Sequence, residues 1–302
     1  MSVETMGPKT IIHDYGHGGA GVTLSWGTAH LAIDASAIPT GERAAVLGCG
    51  AIGLATARLL QRRGIAVTIY ARDLPPETTS NIAGAHWSPF MVADKSRRTP
   101  AFNDMLDRAA RISNRAFQDL IGERYGVRWI ENYLLLAQRP NDAPGSRHDL
   151  TPGWKVLGPG EHPFGSPYAT SFMSMLIEPP VYLNALVEDV QRAGGSIVVR
   201  DFADREAILS LPETFVFNCT GLGSAALFGD TELIPVRGQL SVLVPQPEIG
   251  YVMMKDDLYM FPRRDGIVLG GTHERGISSL EPNLDAARSI LAAHREVFRQ
   301  MS

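Results

Sequence analysis

The residues best placed to do chemistry begin at Gly48. Gly48-Cys49-Gly50-Ala51-Ile52-Gly53 reads G-x-G-x-x-G. In that spacing the first glycine makes a tight turn, the second lets a pyrophosphate approach the backbone, and the third lets a helix pack closely on a strand. The phosphates would sit at the helix N-terminus, against its unpaired N–H groups and the positive end of its dipole. An acidic residue is expected at the end of the following strand, but Arg72 and Asp73 stand there, after Tyr70-Ala71. Arg72 could stack on an adenine or contact a phosphate, and Asp73 could accept from a ribose. An arginine here also suits NADP, and for either residue the plain alternative is a solvated strand end. Thr78-Thr79-Ser80-Asn81 groups short hydroxyl and amide side chains where they could wrap round the same pyrophosphate, although such clusters are also ordinary turns.

A second feature lies upstream, in Tyr15-Gly16-His17-Gly18-Gly19-Ala20-Gly21-Val22-Thr23. Glycines at 16, 18, 19 and 21 let backbone come close to something flat or large. The helix-like segment Val22 to Ala35 follows directly, and its N-terminus would stabilise negative charge, such as that on a reduced flavin near N1 and the C2 carbonyl. Gly18, Gly19, Gly21, Val22 and Thr23 are therefore candidate cofactor contacts. His13 and His17 are four apart, which converges two metal ligands only on a helix, and these glycines oppose a helix. Asp14 also stands where a H-E-x-x-H motif carries glutamate. Hydrogen-bonded, structural histidines are expected, with no metal. The other six histidines form no metal pattern, and the chain has no G-x-S-x-G nucleophile elbow.

These residues need elements to position them. Arg43 to Leu47 is a short apolar run suited to a buried parallel strand. Ala51 to Arg63 places Ile52, Ala55, Leu59 and Leu60 at helical spacing, Gly64 stops the helix, and Ala66 to Tyr70 is a second strand. Together they make one β-α-β unit. Thr99-Pro100 opens a helix running to about Ile121, with proline in its first turn. A helix over 179–194 is followed by the strand Ser196 to Arg200, and Phe215 to Cys219 is a further strand. Residues 234–274 change character, with short strands at Gly238–Pro245, Leu258–Pro262 and Gly266–Gly271 and a hairpin turn at Arg263-Arg264-Asp265-Gly266. Glu281-Pro282 starts a final helix. The mixture predicts a parallel α/β core with an antiparallel region inserted in it.

Composition narrows the class of function. The 302 residues, 44% hydrophobic, suffice for a large core. A net charge of -4 with both signs dispersed gives no basic face for nucleic acid. No apolar run approaches the roughly 18–20 residues that span a bilayer, and the N-terminus lacks the pattern of a signal peptide. Cys49 and Cys219 lie far apart, so a disulfide framework is not expected and the cytoplasm is the default location.

Taken together, the motifs resemble the D-amino-acid oxidase and D-aspartate oxidase family. Val46 to Leu54 is similar to that family's FAD fingerprint. Tyr70-Ala71-Arg72-Asp73, Thr78-Thr79-Ser80 and Ala83-Gly84-Ala85-His86-Trp87-Ser88-Pro89 continue it in order and spacing. Asn218-Cys219-Thr220-Gly221, Arg237-Gly238-Gln239, Tyr259-Met260-Phe261-Pro262 and Leu269-Gly270-Gly271 extend it, so that it covers about 43 to 295. The resemblance implies an α/β fold, a Rossmann-type FAD-binding domain with an inserted antiparallel α+β substrate domain. Residues 1–95, 172–232 and 276–302 would form the first, and 96–171 and 233–275 the second. It adds Gly84, Ala85, His86 and Gly221 to the cofactor-binding candidates Gly48, Gly50, Ala51, Ile52, Gly53, Arg72, Asp73, Thr78, Thr79 and Ser80.

The resemblance implies oxidative deamination of a D-amino acid or another amine. Tyr259 would hydrogen-bond the substrate carboxylate, Gly19 would offer its carbonyl to the amino group, the flavin N5 would accept the α-hydride, and O2 would reoxidise the flavin. Such chemistry rests on positioning more than on a side-chain base. The other readings are an FAD-dependent oxidase of a different amine or imine and a flavin-binding paralogue without turnover; assembly as a homo-oligomer stays open. Two departures stand out. The glycine-rich segment, which the family carries near its C-terminus, precedes the fingerprint here, as in a circular permutation, with residues 35–40 as the link. The strand carrying the family's carboxylate-clamping arginine is expected to be absent. Arg263, Arg264 and Arg275 are read as surface residues rather than replacements.

Overall fold

The computed structural model describes residues 1–89, 91–141 and 147–301. In chain order, β1 (Ser2–Met6), β2 (Lys9–His13), α1 (Gly21–Ser36), β3 (Arg43–Leu47), α2 (Ala51–Arg62), β4 (Ala66–Ala71), α3 (Thr79–Ile82) and α4 (Pro100–Gln118) come first. Then come β5 (Val127–Leu136), β6 (Lys155–Leu157) and β7 (Tyr168–Ile177), followed by α5 (Pro179–Arg192), β8 (Ser196–Val199), α6 (Glu206–Leu209), β9 (Phe215–Asn218) and α7 (Gly223–Phe228). The chain closes with β10 (Val236–Arg237), β11 (Leu240–Leu243), β12 (Tyr251–Lys255), β13 (Leu258–Arg263), β14 (Gly266–Gly270), β15 (Glu274–Arg275) and α8 (Leu284–Arg299). These elements form two compact units, Met1–Val127 with Ile177–Leu233 and Arg128–Leu176 with Ile234–Ser302.

The first unit is built on a six-stranded sheet of order β1-β2-β9-β3-β4-β8, parallel from β2 onward. The predicted β-α-β unit is β3, α2 and β4. β1 and β2 form a hairpin across Gly7-Pro8, with Gly7 at φ +55, a turn conformation that glycine adopts at no steric cost. The buried Lys9 Nζ donates to the carbonyls of Glu213 and Leu211, which satisfies its donors inside the fold and ties the N-terminal hairpin to the segment that leads into β9. Helix α1 has twelve of its sixteen residues buried, as a helix surrounded by other elements must. Trp26 Nε1 donates to the Tyr182 hydroxyl of α5 at 2.7 Å, and the Arg62 guanidinium of α2 lies 5.2 Å from the Trp26 ring.

Helix α4 belongs to this first unit, which corrects the expected division at residue 96. Its capping follows the sequence, with the Thr99 hydroxyl accepting from Phe102 N at 3.1 Å. Its location follows from Gly27 in α1. An added Cβ there would stand 1.9 Å from the Ala109 carbonyl oxygen, and Gly27 N donates to Ser113 Oγ at 2.7 Å. Two helices this close need a glycine at the crossing.

The second unit carries a seven-stranded sheet of order β11-β14-β13-β12-β5-β7-β6 and the short ribbon β10-β15. The sheet is mixed rather than wholly antiparallel, since β12 runs parallel to β5. β5 and β7, each ten residues long, extend it beyond the strands expected from residues 234–274. Helix α8 also lies here, not with the nucleotide-binding sheet as expected. Its buried stripe Ile290, His294, Val297 packs with Leu135, Met253, Met260, Ile267 and Leu269. It begins at Leu284 because Asn283 is the cap, its side chain accepting from Ala286 N at 3.1 Å.

Candidate functional site

In the first unit the parallel strands end in one row, since Leu47 lies opposite both Tyr70 and Asn218, and Asn218 opposite His13. The segments that follow, at Gly48, Arg72, Cys219 and Asp14, therefore emerge at a single edge. That is the edge at which open α/β sheets bind ligands.

Three glycines shape the turn there. Gly48 has φ +105, and an added Cβ would meet the Cys219 carbonyl oxygen at 2.6 Å. At Gly53 it would meet the Gly48 carbonyl oxygen at 2.0 Å, so the helix rests directly on the turn. Gly50 is the N-cap of α2, without a side-chain cap of its own, and an added Cβ would stand 2.9 Å from Ser80 Oγ. Ala51 N donates to that hydroxyl at 3.0 Å. Ser80 is thus held at the start of α2. Thr78 is turned elsewhere: it is buried and donates to Asn81 Oδ1 at 2.8 Å, while Thr79 is exposed.

Arg72 and Asp73 bind each other beyond the end of β4. Nε and Nη2 of Arg72 donate to Asp73 Oδ2 at 2.9 and 2.7 Å, and both side chains are exposed. An arginine already paired with a carboxylate is a weak clamp for an added phosphate, so this geometry does not favour NADP.

The glycine-rich segment docks within the same unit. Gly18 has φ +55, and an added Cβ would clash at 2.0 Å with the Met91 carbonyl oxygen, which accepts from Gly19 N at 3.4 Å. A short turn over Gly18–Ala20 leads directly into α1. Substituents at Gly21 and Gly221 would meet nothing within 4 Å, so space is open at both. Val22 is buried. Thr23 ties the start of α1 to the other predicted loop, since its hydroxyl donates to the His86 carbonyl at 3.4 Å and accepts from Ser88 N at 3.1 Å. Ala85, at φ +54, accepts from Ile177 N at 3.0 Å, next to Gly84.

His13 and His17 turn to different partners. His13 lies 3.2 Å from Glu4 Oε1 and 3.0 Å from Asn218 Nδ2, and His17 Nε2 lies 3.2 Å from the buried Asp14 carboxylate. Asn218 is the hub of this region, its Oδ1 accepting from Thr220 Oγ1 at 2.8 Å and from Thr220 N at 3.2 Å. Burial pushes the Cys49 thiol up to about 12, and burial followed by the Asp14 charge raises that of Cys219. Both cysteines are free.

Tyr259 stands on β13 in the second unit. Its ring stacks on Phe261 at a centroid distance of 4.7 Å and covers Gly270 on the neighbouring strand. Burial raises its pKa, which keeps the phenol an O–H donor at neutral pH. Arg263 departs from expectation: it is buried, 8% exposed, with Nε donating to Asp265 Oδ1 at 2.8 Å. The hairpin turn holds Asp265 beside it, and the pair satisfies a charge that could not be buried alone.

Parallel strands ending in one row, with a glycine turn that leads into a helix, make the arrangement that holds a dinucleotide such as FAD. The residues fit the cofactor, because substituents at Gly48 and Gly53 would collide with backbone and space is left at Gly21 and Gly221. Residues 43–302 match the model of DAO, the FAD dependent oxidoreductase family, and the chain belongs to that family. It is 32% identical over 255 residues to a D-amino-acid oxidase of Rubrobacter xylanophilus, covering 82% of this chain and 75% of that protein. It is 29% identical over 266 residues to a D-aspartate oxidase of Homo sapiens, covering 83% and 74%. The solved structure of a glycine oxidase from Bacillus cereus shares the fold, with TM-score 0.62 at 15% identity over 85% of this chain and 78% of that one.

Proposed function

We propose that this protein oxidises the amine carbon of a D-amino acid, with O2 as the final acceptor. The observation that carries the reading is Tyr259: a neutral phenol, fixed between Phe261 and Gly270, within the Tyr-Met-Phe-Pro and Leu-Gly-Gly segments. The Rubrobacter and human relatives, named as D-amino-acid and D-aspartate oxidases, support the substrate class. FAD, when bound, supplies the acceptor for the hydride that leaves the substrate α-carbon. The chain's part is to hold the substrate. The Tyr259 hydroxyl is assigned to the substrate carboxylate. The start of α1 faces negative charge with N–H groups and the helix dipole.

The N-terminal hairpin and α1 are inferred to do in this chain what the segment near the C-terminus does in the family. β2 beside β9 and Thr23 bonded to the 86–88 loop support that arrangement. A second reading, oxidation of an amine without a clamped carboxylate, is favoured by one observation: Arg263 is committed to Asp265. Anaerobic mixing with a panel of D-amino acids and simple amines, following flavin absorbance, separates the two. Bleaching by D-amino acids supports the first. Bleaching by amines alone moves the assignment to the second, and an unbleached flavin removes both.

A further inference from the structure

His294 is a polar residue on the buried stripe of α8, only 2% exposed. Its Nδ1 lies 2.8 Å from the Ile290 carbonyl oxygen one turn back, and its Nε2 lies 3.1 Å from the carbonyl oxygen of Tyr259. Carbonyl oxygens only accept, so whichever ring nitrogen carries the proton is the one that donates. Leucine would fill such a position without burying polar atoms. The imidazole instead forms a cross-link from helix to strand, and it ends on the backbone of the residue whose side chain is assigned to the substrate.

We propose that His294 is a positioning residue for Tyr259, fixing the main chain from which the phenol is presented. The inference rests on the reading of Tyr259 as the carboxylate donor. Gly270 and Phe261 hold the ring, and His294 holds the backbone beneath it, so the hydroxyl is constrained from both ends. A supporting contact of this kind governs placement, and displacement by about 1 Å costs an oriented reaction up to about 100-fold. A groove of about 450 Å³ beside the His294 imidazole, lined also by Met260, Leu269, Leu291 and Phe298 among others, leaves room for helix and strand to shift once the bond is lost.

The test uses the FAD-loaded protein and its best amine substrate. His294→Met removes both ring nitrogens at similar volume, and His294→Gln keeps an N–H donor. The methionine variant should raise KM about tenfold with kcat within about threefold and flavin content unchanged, and the glutamine variant should recover most of that loss. Placing His294→Met on Tyr259→Phe should add little further, because no hydroxyl remains to position. Should the methionine variant fail to hold FAD, His294→Asn, whose shorter amide cannot span to the strand, replaces it. If Tyr259→Phe itself leaves kcat/KM and the rate of flavin reduction unchanged, the reading of Tyr259 fails, and the inference with it. If Tyr259→Phe lowers kcat/KM while the His294 variants do not, or their effects add fully, only the role of His294 is overturned.

Discussion

The ring of Tyr259 lies flat over the Cα of Gly270: an added Cβ at Gly270 would stand 2.0 Å from Tyr259 Cζ. The two residues are directly opposed on adjacent antiparallel strands, where side chains normally sit beside one another. Here one partner has no side chain, and the tyrosine occupies that space. Gly270→Ala should therefore evict the ring while leaving FAD content intact, because β14 belongs to the second unit. We expect a stability loss of about 1–3 kcal/mol from overpacking and a drop in kcat/KM. Thermal unfolding and steady-state kinetics check both, and an unchanged kcat/KM would show that the ring's resting place does not matter to turnover.

Tyr259→Phe asks the complementary question. Phenylalanine keeps the fit over Gly270 and the stack on Phe261, so only the O–H is lost. A hydrogen bond to a charged carboxylate contributes about 1.5–3 kcal/mol, which predicts a fall in kcat/KM of about 10–100-fold. Stopped-flow reduction of the flavin reads this directly. A variant reduced as fast as the parent would fall outside the assignment of Tyr259 to the carboxylate.

The contrast between what the sequence showed and what it hid has a physical basis. From β3 to β4, strand length, glycine spacing, helical periodicity and a stop at Gly64 all agree, so the β-α-β unit was legible element by element. Helix α4 was legible as a helix, but its amphipathic pattern could not say which sheet it faces. Gly27 was the usable signal, a glycine inside a helix whose reason is the Ala109 carbonyl against it. Helix α8 was misplaced for the same reason, since Ile290, His294 and Val297 show a stripe but not its partner. The Gly7-Pro8 turn also marked the N-terminal hairpin, which went unread. Arg263 looked like a surface residue because its partner Asp265 makes burial tolerable only once the hairpin closes.

Gly50→Val tests the cradle. A Cβ at residue 50 already comes within 2.9 Å of Ser80 Oγ, and valine adds two methyl groups where the helix start must meet the pyrophosphate. The variant should purify without flavin absorbance, or bind FAD at least about 100-fold more weakly, the effect of about 3 kcal/mol or more of clash. Circular dichroism establishes that the fold survives. A yellow, stoichiometrically loaded variant would falsify the placement of the cofactor at this turn.

The Cys49 thiol sets an alkaline limit on stability. It is buried within the fingerprint, and burial raises its pKa from 9.0 to about 12. Because the folded value exceeds the unfolded one, the group's contribution is fully present below pH 9.0. It is lost as the pH rises towards about 12, where the unfolded chain ionises and the folded chain does not. Within that window the loss is about 1.4 kcal/mol per pH unit from this group. Tyr15 and Tyr133, each also raised to about 12, act in the same direction and confound a single profile. The difference between the parent and Cys49→Ala isolates the thiol. Unfolding free energies from urea titrations of the FAD-loaded protein at about pH 8 and 10.5 should fall less in the alanine variant, by about 2 kcal/mol. Below pH 9 neither Cys49 nor Cys219 should react with a thiol reagent until the protein unfolds, since both are buried and held neutral. Equal alkaline losses in parent and variant, or a thiol titrating rapidly in the native protein at neutral pH, would mean that Cys49 is reached by solvent.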